Sequence, residues 1–91
     1  MKFLMLGRYS LEAIKGIRKE RTKKVISIIE GKNGKVEQMF ALLGGYDLAF
    51  IVDFPSVKEA ISASVEITKL TGISFNTLAA ITVEEFDKLL G

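Results

Sequence analysis

The run from Leu42 to Phe54 constrains this chain more than any other stretch. Gly44-Gly45 is a turn signal, because paired glycines accept the positive φ values that a two-residue hairpin turn needs. The segment from Tyr46 to Phe54 alternates as a strand. Tyr46, Leu48, Phe50, Val52 and Phe54 fall on one face; Asp47, Ala49, Ile51 and Asp53 fall on the other. Both faces are largely apolar. A strand of this kind near the chain midpoint, flanked by segments of helical spacing, calls for a sheet covered on both sides.

The flanking segments supply one of the two covers. Lys2 to Tyr9 reads as a first strand, with Phe3, Met5 and Tyr9 opposite Leu4 and Leu6. Ser10 offers an N-cap, and Leu11, Ile14 and Ile17 begin a helical stripe. The stripe is lost between Arg18 and Lys24, where five of seven residues are basic, and resumes at Val25, Ile28 and Ile29. Either the helix runs past the edge of what it packs on or it breaks in two near Lys19, and the break is the preferred reading. The basic cluster reads as a solvated face rather than an anion or nucleic-acid contact, since no aromatic interleaves and Glu20 sits inside it.

Gly31-Lys32-Asn33-Gly34 is a stop-and-turn, with Gly31 expected at the C′ position. Lys35 to Leu43 forms the second strand, with Val36, Gln38, Phe40 and Leu42 on one face and Glu37, Met39, Ala41 and Leu43 on the other. After the third strand, Pro55 and the capping box Ser56-Val57-Lys58-Glu59 open a helix that reaches Leu70 or Thr71 and stops at Gly72. Its inner stripe is expected to be Ala60, Ile61, Ser64, Val65 and Thr68. Side chains so small let a helix lie close to a sheet or leave room for a guest. A fourth strand spans Ile73 to Ile81, and a second box, Thr82-Val83-Glu84-Glu85, starts a short helix with Val83, Phe86, Leu89 and Leu90 on its apolar side.

The order β-α-β-β-α-β plus a terminal helix is that of a ferredoxin-like α+β domain, one domain spanning residues 1–91. The segments Tyr9 to Ile14 and Pro55 to Ile61 echo one another, which supports two related βαβ halves. Right-handed crossovers put both long helices on one face of a four-stranded antiparallel sheet. The other face would meet water and should alternate polar with apolar. It does not: Leu4, Leu6, Ala49, Ile51, Leu78 and Ala80 are all apolar. The chain is 48% hydrophobic, while a domain this small buries only about 60–65% of its unfolded surface. The predicted partner is a second copy packed sheet against sheet, a homodimer at least, with higher homo-oligomers left open.

Several function classes fall away. There is no Cys and no His, which removes disulfides, thiolate nucleophiles, the commonest neutral-pH base and the usual soft-metal ligands. No metal or other cofactor is expected. A net charge of +2 gives no ground for a nucleic-acid partner. The four-residue apolar run near Met1 is too short for a signal-peptide core, and no window is long enough to span a membrane. The expected location is the cytoplasm.

Several short motifs resemble the GYD-domain family, one branch of the dimeric α/β-barrel superfamily. They are Gly7-Arg8-Tyr9-Ser10, the basic stretch ending in Glu20-Arg21, Gly44-Gly45-Tyr46-Asp47, Asp53-Phe54-Pro55-Ser56, and the segment from Thr77 to Phe86. Ala79 and Ile81 stand where the family pattern would lead one to expect an Arg and an aromatic. The resemblance implies a dimer whose sheets face each other. It does not imply one activity: relatives in the superfamily include cofactor-free monooxygenases, isomerases, haem enzymes and ligand-sensing domains, and a fold cannot choose among them. Haem enzymes with an axial His are excluded here.

Tyr46 and Asp47 are adjacent on a strand and so point to opposite faces. Asp47 is expected to cap the turn or bond to backbone, and Tyr46 to pack with its hydroxyl at the rim. The functional alternative has Tyr46 lining a pocket between sheet and helices, with Tyr9 and Thr77 as further polar contacts. Asp53, if buried, would have a raised pKa and join Asp47 as a candidate acid or base. The plainer role for Asp53 is to cap the next helix. Arg8 is a candidate anion clamp or, more simply, one half of an ion pair. Three readings are left: a binding or sensing module for a small, largely apolar ligand; a cofactor-independent enzyme on a small aromatic substrate, using Tyr46 or Tyr9; and a purely structural dimer. The lack of His, and of polar groups forced together, favours the first.

Overall fold

Eight elements follow one another in the computed structural model, which describes residues 1–91. They are β1 (Lys2–Tyr9), α1 (Leu11–Lys15), α2 (Lys19–Gly31), β2 (Lys35–Ala41), β3 (Leu48–Asp53), α3 (Val57–Thr71), β4 (Ile73–Ala80) and α4 (Val83–Leu90). The four strands make one antiparallel sheet in the order β2-β3-β1-β4. This is the ferredoxin-like arrangement expected from the element order. Phe3 and Met5 of β1 and Phe50 and Val52 of β3 meet Val25 and Ile29 of α2 and Ala60, Ala63 and Ile67 of α3. Both long helices therefore cover the same face. The core is thin, with only 14 of 91 residues buried, so much apolar surface is left for other contacts.

Local chemistry explains most boundaries. Ser10 accepts a hydrogen bond from the Ala13 N–H at 3.0 Å, and α1 ends at Gly16. The chain then restarts at Lys19, so the predicted break is present. Thr82 caps α4 by accepting from the Glu85 N–H at 3.1 Å. Ser56 stands at the N-cap of α3 but accepts no bond there; its hydroxyl donates to the Glu59 carboxylate instead. Gly72 takes a left-handed φ of 76° and ends α3.

The stop after α2 differs from expectation. Gly31 is the last helical residue, and Asn33 takes the left-handed position with φ 61°. The reason lies one residue on. A Cβ on Gly34 would sit 2.6 Å from the Phe54 ring and 2.8 Å from the Ile29 carbonyl. The glycine is thus needed for close approach, and Asn, which tolerates the left-handed region, makes the turn.

Three further expectations are corrected. The register of β2 against β3 shifts between Val36 and Gln38, a bulge that leaves Glu37 as the extra residue. Val36 and Met39 consequently both pack on the core, and Gln38 and Phe40 turn to the other face. The β2–β3 connection is not a two-residue hairpin. It runs over residues 42–47, with positive φ at Gly44 only. Finally, the buried stripe of α3 is Ala60, Ala63, Ile67 and Thr71, while Ile61 and Val65 are exposed. The helix is rotated so that two alanines, Ala60 and Ala63, form the first part of its buried side and Ile67 and Thr71 the second. Ser64 and Thr68 flank that stripe and return their hydroxyls to carbonyls one turn back.

Candidate functional site

The residues singled out in the sequence fall in four different places. Tyr46 lies outside β3, so strand parity does not govern it. Its hydroxyl accepts from Asn76 Nδ2 at 3.2 Å, and the Arg8 guanidinium stands 4.7 Å from its ring centroid. Asn76 and Arg8 face away from the helices, since their neighbours Phe75 and Gly7 point toward the core. Tyr46 and Arg8 therefore belong to the open face of the sheet, and the expected grouping of Tyr46 with Tyr9 and Thr77 does not form. Thr77 sits under α3, sharing a 2.8 Å hydrogen bond with Ser64.

Asp47 and Asp53 are engaged elsewhere. Asp47 Oδ2 accepts from the Tyr9 backbone N–H at 2.8 Å, while its own N–H donates to the Gly7 carbonyl. This is the backbone role expected of it, although the partner is β1 rather than the turn. Asp53 is half exposed and does not cap α3. Its carboxylate pairs with the Met1 ammonium at 2.9 Å, and that hydrogen bond holds its pKa below the ordinary carboxylate value. The shift is opposite to the one a buried base would show.

Asp53 lines only a depression beside Met1, Lys2 and Glu85, whereas Tyr9 reaches a mostly apolar cavity. An opening of about 170 Å³ lies between the first turns of α2 and the adjoining end of the sheet. Its walls are Val25, Met39, Leu48, Phe50 and Ile73, with Tyr9, Arg18, Arg21 and Thr22 supplying the polar groups. For scale, an apolar cavity of about 150 Å³ accepts benzene. No carboxylate lines it. Arg21 is held at the edge: Nη1 donates to the Ala13 carbonyl at the end of α1, and the guanidinium lies 5.6 Å from the Tyr9 ring centroid.

Of these lining residues Tyr9 is legible in the sequence, whereas Arg18 and Arg21 belong to a basic run that reads as a solvated face. A signal was present in the charge pattern. The cations of α2 crowd its N-terminal half and none occupies its last turn, the reverse of what the helix dipole favours. Met39 was missed because the bulge reverses its face.

On the opposite side of the sheet, Leu4, Leu6, Ala49 and Ile51 are part-exposed, and Phe40 and Leu78 are exposed at 48% and 42%. In α4, Val83, Phe86, Leu89 and Leu90 are exposed as well. No helix is long and apolar enough to cross a membrane. No group of three or more acidic, His or Cys side chains is placed to hold a metal ion.

Comparison with known proteins bears on the fold and the family. Among solved structures, the chain is similar to the leucine response regulatory protein LrpA of Mycobacterium tuberculosis, with a TM-score of 0.58 at 9% sequence identity. The match covers 89% of this chain and 50% of that one, so this chain spans half the length of its structural neighbour. At that identity the likeness is one of fold. No curated protein matches the sequence significantly. The family model described as the GYD domain matches residues 3–90, nearly the whole chain. With its ferredoxin-like sheet and its Gly44-Gly45-Tyr46-Asp47 loop, the chain belongs to the GYD domain family.

Proposed function

We propose that this chain is a homodimeric binding module for a small, largely apolar ligand, which it senses rather than transforms. The observation that carries the proposal is the cavity of about 170 Å³ between α2 and the sheet, apolar on its walls and polar only at Tyr9, Thr22 and the two arginines. Pockets of small-molecule proteins share this composition, a mostly apolar lining with a few placed polar groups. Tyr9 is the ligand contact here, with its backbone fixed by Asp47.

Binding is favoured over catalysis because no second proton-transfer group joins Tyr9 in the cavity. The fold shared with a leucine response regulatory protein supports the sensing part of the proposal. The open sheet face supports the dimer. Two copies packed there would cover Leu4, Leu6, Ile51 and Leu78, and would place Tyr46 and Arg8 at the interface. The apolar stripe of α4 remains for contacts beyond the dimer. A cytoplasmic setting accords with a chain free of Cys.

Native mass spectrometry of the full chain tests the proposal. A dimer ion carrying a releasable small guest is expected. A monomer ion, or a dimer that takes up no small aromatic or aliphatic compound at millimolar concentration, would overturn the corresponding half.

A further inference from the structure

Resting on the cavity reading above, we infer that the ligand is a small organic acid, an apolar body about the size of a benzene ring carrying one carboxylate that meets Arg18 and Arg21. The cavity is two environments joined end to end. Buried or half-buried Val25, Met39, Leu48, Phe50 and Ile73 form its interior, and exposed Arg18 and half-buried Arg21 stand at its edge beside Ile17, Phe40 and Ala41. A neutral apolar guest would satisfy only the first.

The arginines have capacity to spare. A guanidinium carries five donors in a planar fork. Arg21 commits one of its nitrogens to the Ala13 carbonyl and makes no other hydrogen bond to protein. The Arg18 side chain makes none, although Arg18 is the N-cap residue of α2. Neither takes part in any of the four ion pairs of the structure. The fork geometry matches a carboxylate, which can accept two parallel bonds from it.

A second cleft, which shares the two arginines, adds to the same assignment. Arg18 and Arg21 also line a polar depression of about 360 Å³ on the other side, together with Lys24 and Lys69 from α2 and α3. Glu12 is the only carboxylate among its walls, and neither lysine has an ion-pair partner. The positive potential of both surfaces converges on the two arginines that stand between them, which concentrates anions at the cavity mouth. The unfavourable placement of cations at the start of α2 fits this role: a bound carboxylate would relieve repulsion that the protein alone does not.

The test is a backbone amide NMR titration of the full chain with three probes: benzoate, benzyl alcohol as the body without the charge, and acetate as the charge without the body. Benzoate is expected to shift the amides of Tyr9, Val25, Leu48 and Ile73 and to bind about tenfold more tightly than either of the others, the worth of a charge-assisted hydrogen bond. Arg21→Gln keeps a donor for the Ala13 carbonyl and should weaken benzoate about tenfold while leaving benzyl alcohol unchanged, with partial recovery in Arg21→Lys. The Arg18 side chain makes no hydrogen bond to protein, so Arg18→Gln gives the same reading should Arg21→Gln unfold. If benzyl alcohol binds as tightly as benzoate, or the double Gln variant binds benzoate unchanged, the acid assignment is wrong and the cavity stands as a neutral site. If no probe shifts the lining residues, the cavity reading falls with it.

Discussion

The Asp47 carboxylate accepts a hydrogen bond from the Tyr9 backbone N–H at 2.8 Å, thirty-eight residues away in sequence. β3 begins only at Leu48, so the last residues of β1 have no strand partner on that side. Asp47 supplies one with its side chain and a second contact with its own N–H to the Gly7 carbonyl. The same residue returns its carbonyl to the Leu42 N–H, closing the 42–47 loop. One aspartate thus ties the family's namesake loop to the strand end that presents Tyr9 to the cavity.

Removing this acceptor leaves a part-buried N–H without a partner. Asp47→Ala should destabilise the fold by about 1–3 kcal/mol, read from urea unfolding. Asp47→Asn keeps an acceptor oxygen and should lose less. Equal losses in the two variants would mean that the charge, and not the hydrogen bond, matters.

Gly34 and Gly45 make a paired test of close approach. Gly34→Ala would press its Cβ against the Phe54 ring and a backbone carbonyl, and should cost about 1–3 kcal/mol through overpacking. Gly45 has open space around its Cβ position and no positive φ. Gly45→Ala should stay within about 0.5 kcal/mol of the parent. A large loss at Gly45 would restore the tight glycine turn that the 42–47 loop replaces.

Dimerisation is tested on the open face, away from the cavity. Light scattering coupled to size exclusion should give twice the chain mass. Leu78→Lys places a charge amid Leu4 and Ile51, its cross-strand neighbourhood through β1, and should yield a folded monomer by burying a cation in the interface. A monomeric parent, or a dimeric Leu78→Lys, would refute the sheet-to-sheet arrangement.

Acid stability should depend on Ser56. The Ser56 hydroxyl, donating to Glu59, holds that carboxyl below its ordinary value of 4.5. A lowered carboxyl pKa in the folded state contributes stability above the unfolded value and loses it as pH falls through the folded one. The stability difference between the parent and Ser56→Ala should therefore be present near neutrality and shrink in acid, as pH falls below that ordinary value. A difference constant with pH would assign the loss to the missing hydroxyl alone.

The elements were readable because their signals are local. The Ser10 and Thr82 caps, the left-handed stop at Gly72 and the loss of apolar period between Arg18 and Lys24 each act within a few residues, and each marks a boundary found in the structure. From the element order, handedness alone settles that both helices share a face. Tyr9 was legible as a polar aromatic at a strand end, and Asp47 as a residue that bonds to backbone.

What the sequence could not show is where faces change. The bulge at Glu37 moves Met39 to the core and Phe40 off it, because one extra residue inverts every side chain beyond it. Tyr46 followed strand parity on paper but lies before β3, so its ring is placed by Arg8 and Asn76 instead. Arg18 and Arg21 read as part of a solvated run, but the break after α1 sets Arg21 over the Tyr9 ring and both arginines at the cavity. Local propensity determined the strands and helices. Pairing between distant segments decided the faces, and so decided which side chains form the cavity and which lie on the open side of the sheet.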